Sequence, residues 1–276
     1  MTRCAPFVAV SPKCARRQVI PMGERLYRTT GVIIKRIDVG EADRVLTILT
    51  PVGKISANAR GIRKTASRLA GHLELLSHCQ LQLAAGKNRD VVTQSVAIDR
   101  FEAIQHRLYT MAAGYYVAEL TDNFVTDEDT ASPALTHLLA SLQMLCQPCH
   151  VEMVMHWYTL QLSDVAGYRP QVFDCAVCGA LLDEHAQRWS ITQGGMLCPD
   201  CVRADTHAAT ISLALFKLLR FVQREPLAVV AQTVQPFALH TQAFRLLRQW
   251  VVRHSEQPLR SAVFFDDVRL KEYQDY

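Results

Sequence analysis

The sequence predicts an α+β fold in which a small β-barrel is followed by a helical domain that carries a cysteine-rich insert. Three observations predict this arrangement. Short runs of β-branched and apolar residues fill residues 26–100, apolar residues recur at helical spacing across residues 101–276, and two Cys-x2-Cys pairs interrupt the helical part at about residues 172–204. We therefore place domain boundaries at these positions and treat residues 1–25 as a separate extension.

The composition is that of an ordinary globular protein, with 49% hydrophobic and 20% charged residues. No run approaches the roughly 18 apolar residues that a membrane span needs, so no membrane partner is expected. Within residues 1–25 a short apolar patch, APFVAV, precedes Lys13, which is the reverse of the order in a secretory signal. We expect this extension to be disordered and the protein to be cytoplasmic.

Five strand-like runs make up the barrel. The five runs are, in order, TTGVIIKRID, RVLTILT, KISANARG, the alternating second half of LELLSHCQLQLA, and DVVTQSVAI. The turn PVGK separates the second run from the third, and the turn AGKN separates the fourth from the fifth. Five short strands in about 70 residues are typical of the OB-fold, and we favour that barrel over a two-sheet sandwich.

The helical part begins after Asp99. AAGYYVAELTDNF lies in the first long helix, and the acidic break TDEDTASPA follows it, with Pro133 expected in the first turn of the next helix. The sequence predicts further helices over ALTHLLASLQMLC, VEMVMHWYTLQLSDV, SLALFKLLRFVQ and TQAFRLLRQWVVRHS.

Four cysteines have the spacing of a metal site. Cys175 and Cys178 are separated by nineteen residues from a second pair, Cys198 and Cys201. Two cysteines two residues apart can point into one tetrahedral site, and this spacing is typical of four-thiolate zinc sites. A hairpin is expected between the pairs, so the sequence predicts a zinc ribbon with one structural Zn²⁺, closed to substrate.

Two other patterns are weaker. CQPCH matches the motif of covalent haem attachment, but a linker between helices explains Cys146 and Cys149. HVE followed by Cys-x2-Cys is similar to a zinc deaminase signature, but Leu197 stands where that signature has proline. We expect His150 and Glu152 to be surface residues at a helix start.

Basic residues are concentrated on the barrel and its turns. KISANARGIRKTASRLAG contains no acidic residue, and Lys87 and Arg89 add charge on a later turn. Such a surface suits a phosphate backbone, and since Tyr27 is the only aromatic residue of the barrel, binding should be salt-dependent and indifferent to sequence. The candidate DNA-binding residues are Lys35, Arg36, Arg44, Lys54, Arg60, Arg63, Lys64 and Arg68.

Catalytic motifs are absent from the sequence. It contains no G-x-x-x-x-G-K-[ST], no G-x-S-x-G and no H-E-x-x-H, and we expect Asp127 and Asp129 to lie solvated in a loop. The chain is therefore expected not to be an enzyme. A metal-dependent nuclease that uses these two carboxylates is kept as an alternative.

The order of these features resembles one protein family. TTGVIIKRIDVGEADRVLTILTPVGKISANARGIRK, the helix AAGYYVAELTDNF and the insert CAVCG…CPDC are similar to the zinc-bearing branch of the RecO family of recombination mediators. The likeness covers residues 26–265. The C-terminal sequence FFDDVRLKEYQDY does not align.

The resemblance implies a function in DNA repair and recombination. It implies binding of single- and double-stranded DNA, annealing of complementary strands and, with RecR, help in loading RecA onto DNA covered by single-strand binding protein. It also implies a site for that protein's acidic C-terminal tail in the helical domain, for which Lys217, Arg220 and Arg224 are the candidate rim, and a place in the cytoplasm at the nucleoid. Besides the nuclease, the other alternative is an RNA-binding accessory protein of transcription or translation.

Overall fold

The computed structural model of the chain describes residues 26–64, 71–255 and 257–274. The extension at 1–25 and the candidate DNA-binding residue Arg68 lie outside these described residues.

The N-terminal domain is a closed five-stranded barrel. Its strands are β1 (Leu26–Val39), β2 (Asp43–Thr50), β3 (Gly53–Ala59), β4 (His78–Ala84) and β5 (Asp90–Asp99). They follow one another around the barrel in the order β1-β2-β3-β5-β4, and β1 closes it by pairing with β4. All pairs are antiparallel except β3 with β5. This confirms the predicted OB-fold.

The length of β1 explains how the barrel closes. Its first half pairs with β4 and its second half with β2, so the strand bends across both halves of the sheet. Gly31 lies in the middle of β1, where a Cβ atom would stand 2.6 Å from the carbonyl oxygen of Leu49 and 2.7 Å from Cγ2 of Ile48. Only glycine allows this close approach.

The C-terminal domain is helical, as predicted. The helices are α1 (Glu102–Gln105), α2 (Leu108–Phe124), α3 (Glu128–Leu145), α4 (Val151–Val165), α5 (Leu213–Arg224), α6 (Leu227–Val230), α7 (Phe237–His254) and α8 (Arg260–Gln274). Helix α4 is central, because it packs against α2, α3, α5, α6 and α7. The barrel packs on α2 through β1 and on α3 through β2 and β3. Within the described residues no helix has the length and apolar character needed to cross a bilayer.

Two parts of the helical domain differ from the sequence-based expectation. Helix α3 begins at Glu128, before Pro133, because the carboxylate of Asp127 caps it by accepting a hydrogen bond from the Thr130 amide at 2.8 Å. Asp127 and Asp129 therefore belong to a helix start and not to a loop. Residues 264–274, from the C-terminal sequence that did not align, lie in α8, which packs against α2.

The cysteine-rich insert is a small sheet joined to the helices. Its strands are β6 (Arg188–Ser190), β7 (Gly195–Leu197) and β8 (Ala209–Thr210), in the order β7-β6-β8, and β8 is a strand that the sequence did not predict. Trp189 of β6 meets Trp250 of α7 edge to face, with ring centroids 5.4 Å apart. Both indoles are buried, so the cores of insert and helices are continuous.

Candidate metal centre and nucleic-acid interface

The four cysteines of the insert converge on one point. Their Sγ atoms all lie within 4.8 Å of one another, and those of Cys178 and Cys198 are 3.7 Å apart. A tetrahedral zinc–thiolate site, with Zn–S bonds of about 2.3 Å, requires sulfur atoms roughly 3.8 Å apart. The four side chains Cys175, Cys178, Cys198 and Cys201 therefore fit a single metal ion.

Tight turns place the two cysteine pairs. The Cys175 amide donates to the carbonyl of Ala180 at 2.8 Å, and the Gly179 amide donates to the carbonyl of Cys175 at 2.9 Å. Gly179 has φ of 71°, which a residue with a Cβ adopts at a cost. On the other side the Cys201 amide donates to the Cys198 carbonyl at 3.0 Å, at the start of a 3₁₀ helix over Pro199–Ala204.

The electrostatics of the cluster favour a bound cation. Burial opposes ionisation of Cys175, but hydrogen bonds from the amides of Cys178, Cys198 and Val177 bring the pKa of its thiol down to about 6. Hydrogen bonding with Cys198 raises the pKa of Cys201 to about 12. The Cys175 thiolate thus forms easily whereas Cys201 resists ionisation, and a divalent cation bound between them favours the ionised form of both.

The other cysteine pair has no such surroundings. Burial raises the pKa of the Cys146 and Cys149 thiols to about 11, so neither is a reactive thiolate. Cys146 ends α3, and the amide of His150 donates to the carbonyl of Ala231 at 2.8 Å. These contacts are those of an ordinary linker between two helices.

The expectation that Glu152 is a surface residue is wrong. Its side chain is buried, with 4% of the residue exposed, in the helix α4, which packs against α6 and α7 and places Glu152 near His240 of α7. It belongs to an interior polar group with His156, His240 and Arg269, in which the ring nitrogens of His156 and His240 are 3.4 Å apart.

The candidate DNA-binding residues of the barrel fall into three groups. In the first, Lys35 and Lys54 both reach the carboxylate of Asp122 in α2, at 2.8 Å and 3.3 Å. Lys54 also donates to the main-chain carbonyl of Asp122. These two lysines fasten the barrel to the helical domain, and one carboxylate offsets part of their charge.

The second group is an arginine network with two carboxylates. Arg44 contacts Asp38 at 2.6 Å and Glu74 at 3.3 Å, Arg36 pairs with Glu74, and Arg63 lies 3.7 Å from Asp38. The hydrogen bond from Arg44 lowers the pKa of Asp38 below its usual value. The network therefore carries less net charge than its three guanidinium groups suggest.

The third group has no carboxylate partner among the described residues. It comprises Arg60, which follows β3 directly, and Lys64, four residues further on. Asn58 of β3 lines a cleft of about 540 Å³ together with Lys87, Asn88 and Arg89 from the β4–β5 loop. The parallel pairing of β3 with β5 brings this loop beside β3. Lys87 and Arg89 were not among the eight candidates, although their place in a turn flanked by strands was visible in the sequence.

The three side chains of the candidate rim on α5 contact different neighbours. Lys217 pairs with Glu184 of the insert at 2.8 Å, and Arg224 pairs with Glu225. The guanidinium of Arg220 lies 4.9 Å from the ring centroid of Phe173 and is half-buried. Two of the three side chains therefore connect α5 to the insert.

Sequence reasoning missed a second basic surface, on α7. Arg245, Arg248 and Arg253 line a cleft of about 700 Å³ between this helix and Ile191 of the β6–β7 turn. The signal was present, because residues 226–255 contain no aspartate or glutamate.

Comparisons with known proteins agree on one family. Residues 22–101 match the family model described as Recombination protein O N terminal, and residues 105–262 match Recombination protein O C terminal. The chain is 45% identical over 248 residues to the DNA repair protein RecO of Roseiflexus sp. (strain RS-1), covering 90% of this chain and 88% of that one. It is 37% identical to the RecO protein of Dehalococcoides mccartyi (strain 195), over 71% and 78% of the two chains.

Proposed function

Because this chain belongs to the RecO family of DNA repair proteins, we propose that it is a recombination mediator that binds single- and double-stranded DNA and anneals complementary strands. The observation that carries the proposal is the barrel cleft beside β3, where Lys87 and Arg89 have no carboxylate partner among the described residues. Unpaired cations on an OB-fold are available to a phosphate backbone.

Annealing by such a surface needs no bond chemistry. Two DNA strands repel each other through their phosphates, and a protein that neutralises phosphates lowers this repulsion and raises the local concentration of the strands. We therefore propose that the chain is not an enzyme and consumes no nucleotide. The nuclease alternative is disfavoured, since Asp127 is engaged in capping α3.

For the metal centre we propose structural Zn²⁺, one per chain. Four thiolates at tetrahedral spacing favour zinc over oxygen-preferring cations, and a site with four protein ligands leaves no position for substrate. The bound ion would hold the two turns of the insert together. It would have no part in DNA chemistry.

The partner proteins are part of the same proposal. We propose that the chain works with RecR, contacts the C-terminal tail of single-strand binding protein and thereby helps RecA onto covered DNA, in the cytoplasm at the nucleoid. The basic residues Lys217, Arg220 and Arg224 remain our candidates for the tail site. Lys217 would have to exchange its contact with Glu184 for one with an acidic tail.

The proposal is tested by annealing of two labelled complementary strands, coated with single-strand binding protein, without nucleotide or magnesium. We expect rapid pairing with the wild-type protein and slower pairing with Lys87→Ala plus Arg89→Ala. The same variant should weaken binding to every sequence alike and should make the salt dependence of single-strand binding shallower, by roughly 0.7 in slope for every phosphate that it no longer neutralises. Naked strands that bind while coated strands never pair would contradict the mediator function.

A comparison of the affinities for DNA and RNA strands of the same sequence distinguishes the RNA-binding alternative from the proposed DNA-binding function. An RNA-specific protein contacts the 2′-hydroxyl and should prefer the RNA strand. The proposed surface of unpaired cations predicts affinities within about threefold of each other, since phosphates carry most of the binding.

A further inference from the structure

We propose that the exposed face of α7 is a second nucleic-acid contact, which holds the partner strand during annealing; this inference rests on the proposed function. The α7 arginine face comprises Arg245, Arg248, Gln249, Val252 and Arg253. It is distinct from the barrel surface, because the barrel packs on α2 and α3 whereas α7 packs on α4 and α5.

The amphipathic character of α7 produces this face. Phe244, Leu247 and Trp250 point into the core and are buried, while Arg245, Gln249 and Arg253, four residues apart, are exposed on the opposite side. A rise of about 1.5 Å per residue spreads these three side chains over about 12 Å of the helix.

The charges of the α7 arginine face are not offset by any carboxylate of the described residues. Arg245, Arg248 and Arg253 form no ion pair with any residue of the described ranges, in contrast to Arg36 and Arg44 of the barrel. No aspartate or glutamate occurs between Glu225 and Glu256. Three guanidinium groups without counter-charges form a favourable place for an external anion.

The form of the face favours a polyanion over a single anionic group. The arginines are distributed along a helix side, so each faces a different point of an extended ligand, as successive phosphates of a strand would present. Half-buried Ile191 and exposed Val252 border them and offer apolar contact to sugars and bases without reading sequence. A short acidic peptide is the other ligand that the charges would accept, and binding measurements on the α7 variant separate the two.

Annealing explains why a second surface is useful. A protein with one phosphate site can bind either strand but brings two strands together only through a second molecule. A protein with two separate cationic surfaces raises the effective concentration of one strand beside the other within a single complex.

The test uses two non-complementary oligonucleotides, one with a donor dye and one with an acceptor dye, and the full chain with its metal. The wild-type protein should form a ternary complex that shows energy transfer. Arg245→Gln with Arg253→Gln should weaken this complex about tenfold while the affinity for one strand alone stays within about threefold, because only the second strand depends on these two arginines for phosphate binding. The matched control Arg260→Gln with Lys271→Gln removes the same charge from α8 and should behave as wild type.

Two outcomes would overturn the inference. The first is unchanged energy transfer in the α7 variant. The second is an α7 variant that forms the ternary complex normally but binds a peptide of four aspartates and two phenylalanines more weakly. That second result would assign the face to an acidic peptide. Failure of the proposed function looks different, since the wild-type protein would then either bind no single strand or leave complementary strands coated with single-strand binding protein unpaired. Circular dichroism and metal content of each variant show whether it has folded.

Discussion

The ammonium group of Lys35 in the barrel lies 2.8 Å from the carboxylate of Asp122 in α2, and these residues are 87 positions apart in the chain. The contact joins the two domains and at the same time removes charge from the surface that the sequence assigns to DNA. The contact between the domains requires the carboxylate of Asp122, whereas binding of a DNA phosphate by Lys35 would be stronger without that carboxylate.

Asp122→Asn should therefore raise DNA affinity while lowering stability slightly. Removal of the carboxylate frees the charges of Lys35 and Lys54, which should strengthen single-strand binding by up to about fivefold near 0.1 M salt. The ion pairs are partly solvent-exposed, so the free energy of unfolding should fall by about 1 kcal/mol or less. Fluorescence anisotropy and urea unfolding measure the two quantities.

The matched control for this prediction is Asp164→Asn. It removes the same charge at an exposed pair with Arg169 in the helical domain. If both variants change DNA affinity equally, the effect is one of net charge, and the role given to the Asp122 contact is wrong.

The metal centre gives a second prediction. Cys198→Ser should abolish binding of the proposed one equivalent of zinc per chain and reduce solubility, because the two turns of the insert would lose the ion that joins them. Cys149→Ser is the control and should keep the metal, since Cys149 lies outside the cluster. Elemental analysis of protein purified under reducing conditions measures the zinc, and its absence from the wild-type protein would contradict the proposed ion.

Sequence reasoning succeeded where the determining contacts are local. The alternation of the barrel strands and the spacing of Cys175 to Cys201 are short-range patterns, and the structure contains both the barrel and the cluster. The availability of each basic side chain depended on contacts such as that of Lys54 with Asp122, 68 residues away, which no local pattern shows. The burial of Glu152 was missed for the same reason, because it depends on how helices pack around α4.

Acidification should destabilise the helical domain through its interior histidines. Burial lowers the pKa of both His156 and His240, and the nearby Arg269 lowers each further, although Glu152 opposes this at His240. Below about pH 6.5 these histidines therefore bind protons in the unfolded chain but not in the folded chain. The free energy of unfolding then falls as pH falls, by at most about 1.4 kcal/mol per pH unit for each proton.

The variant His240→Gln tests this because it cannot take up the proton. Its free energy of unfolding should fall less steeply between about pH 6.5 and about pH 5 than that of the wild type, in urea titrations at each pH. His106→Gln replaces an exposed histidine and should leave the slope unchanged. Identical slopes for all three proteins would show that the interior histidines do not govern the acid sensitivity.

A fourth prediction concerns the closure of the barrel. Gly31→Ala should lower the free energy of unfolding by about 1–3 kcal/mol, because its methyl group would meet the backbone of Leu49 at 2.6 Å. Gly71→Ala is the control, since its nearest neighbour would be a guanidinium nitrogen of Arg100 at 3.9 Å, and a change within about 0.5 kcal/mol is expected. Equal thermal midpoints would show that the barrel tolerates a Cβ at position 31.

The edge-to-face contact of Trp189 with Trp250 has a consequence for the cooperativity of folding. A ribbon attached only by its ends would open and close independently, and its amides would exchange with solvent ahead of the helices. Here the buried indole of Trp189 packs into the core of the helical domain, so opening of the ribbon also exposes the buried face of α7. Amide protons of β6 and of α7 should then exchange at similar rates, as a single cooperative unit in which the cysteine cluster controls the opening of a whole side of the helical domain.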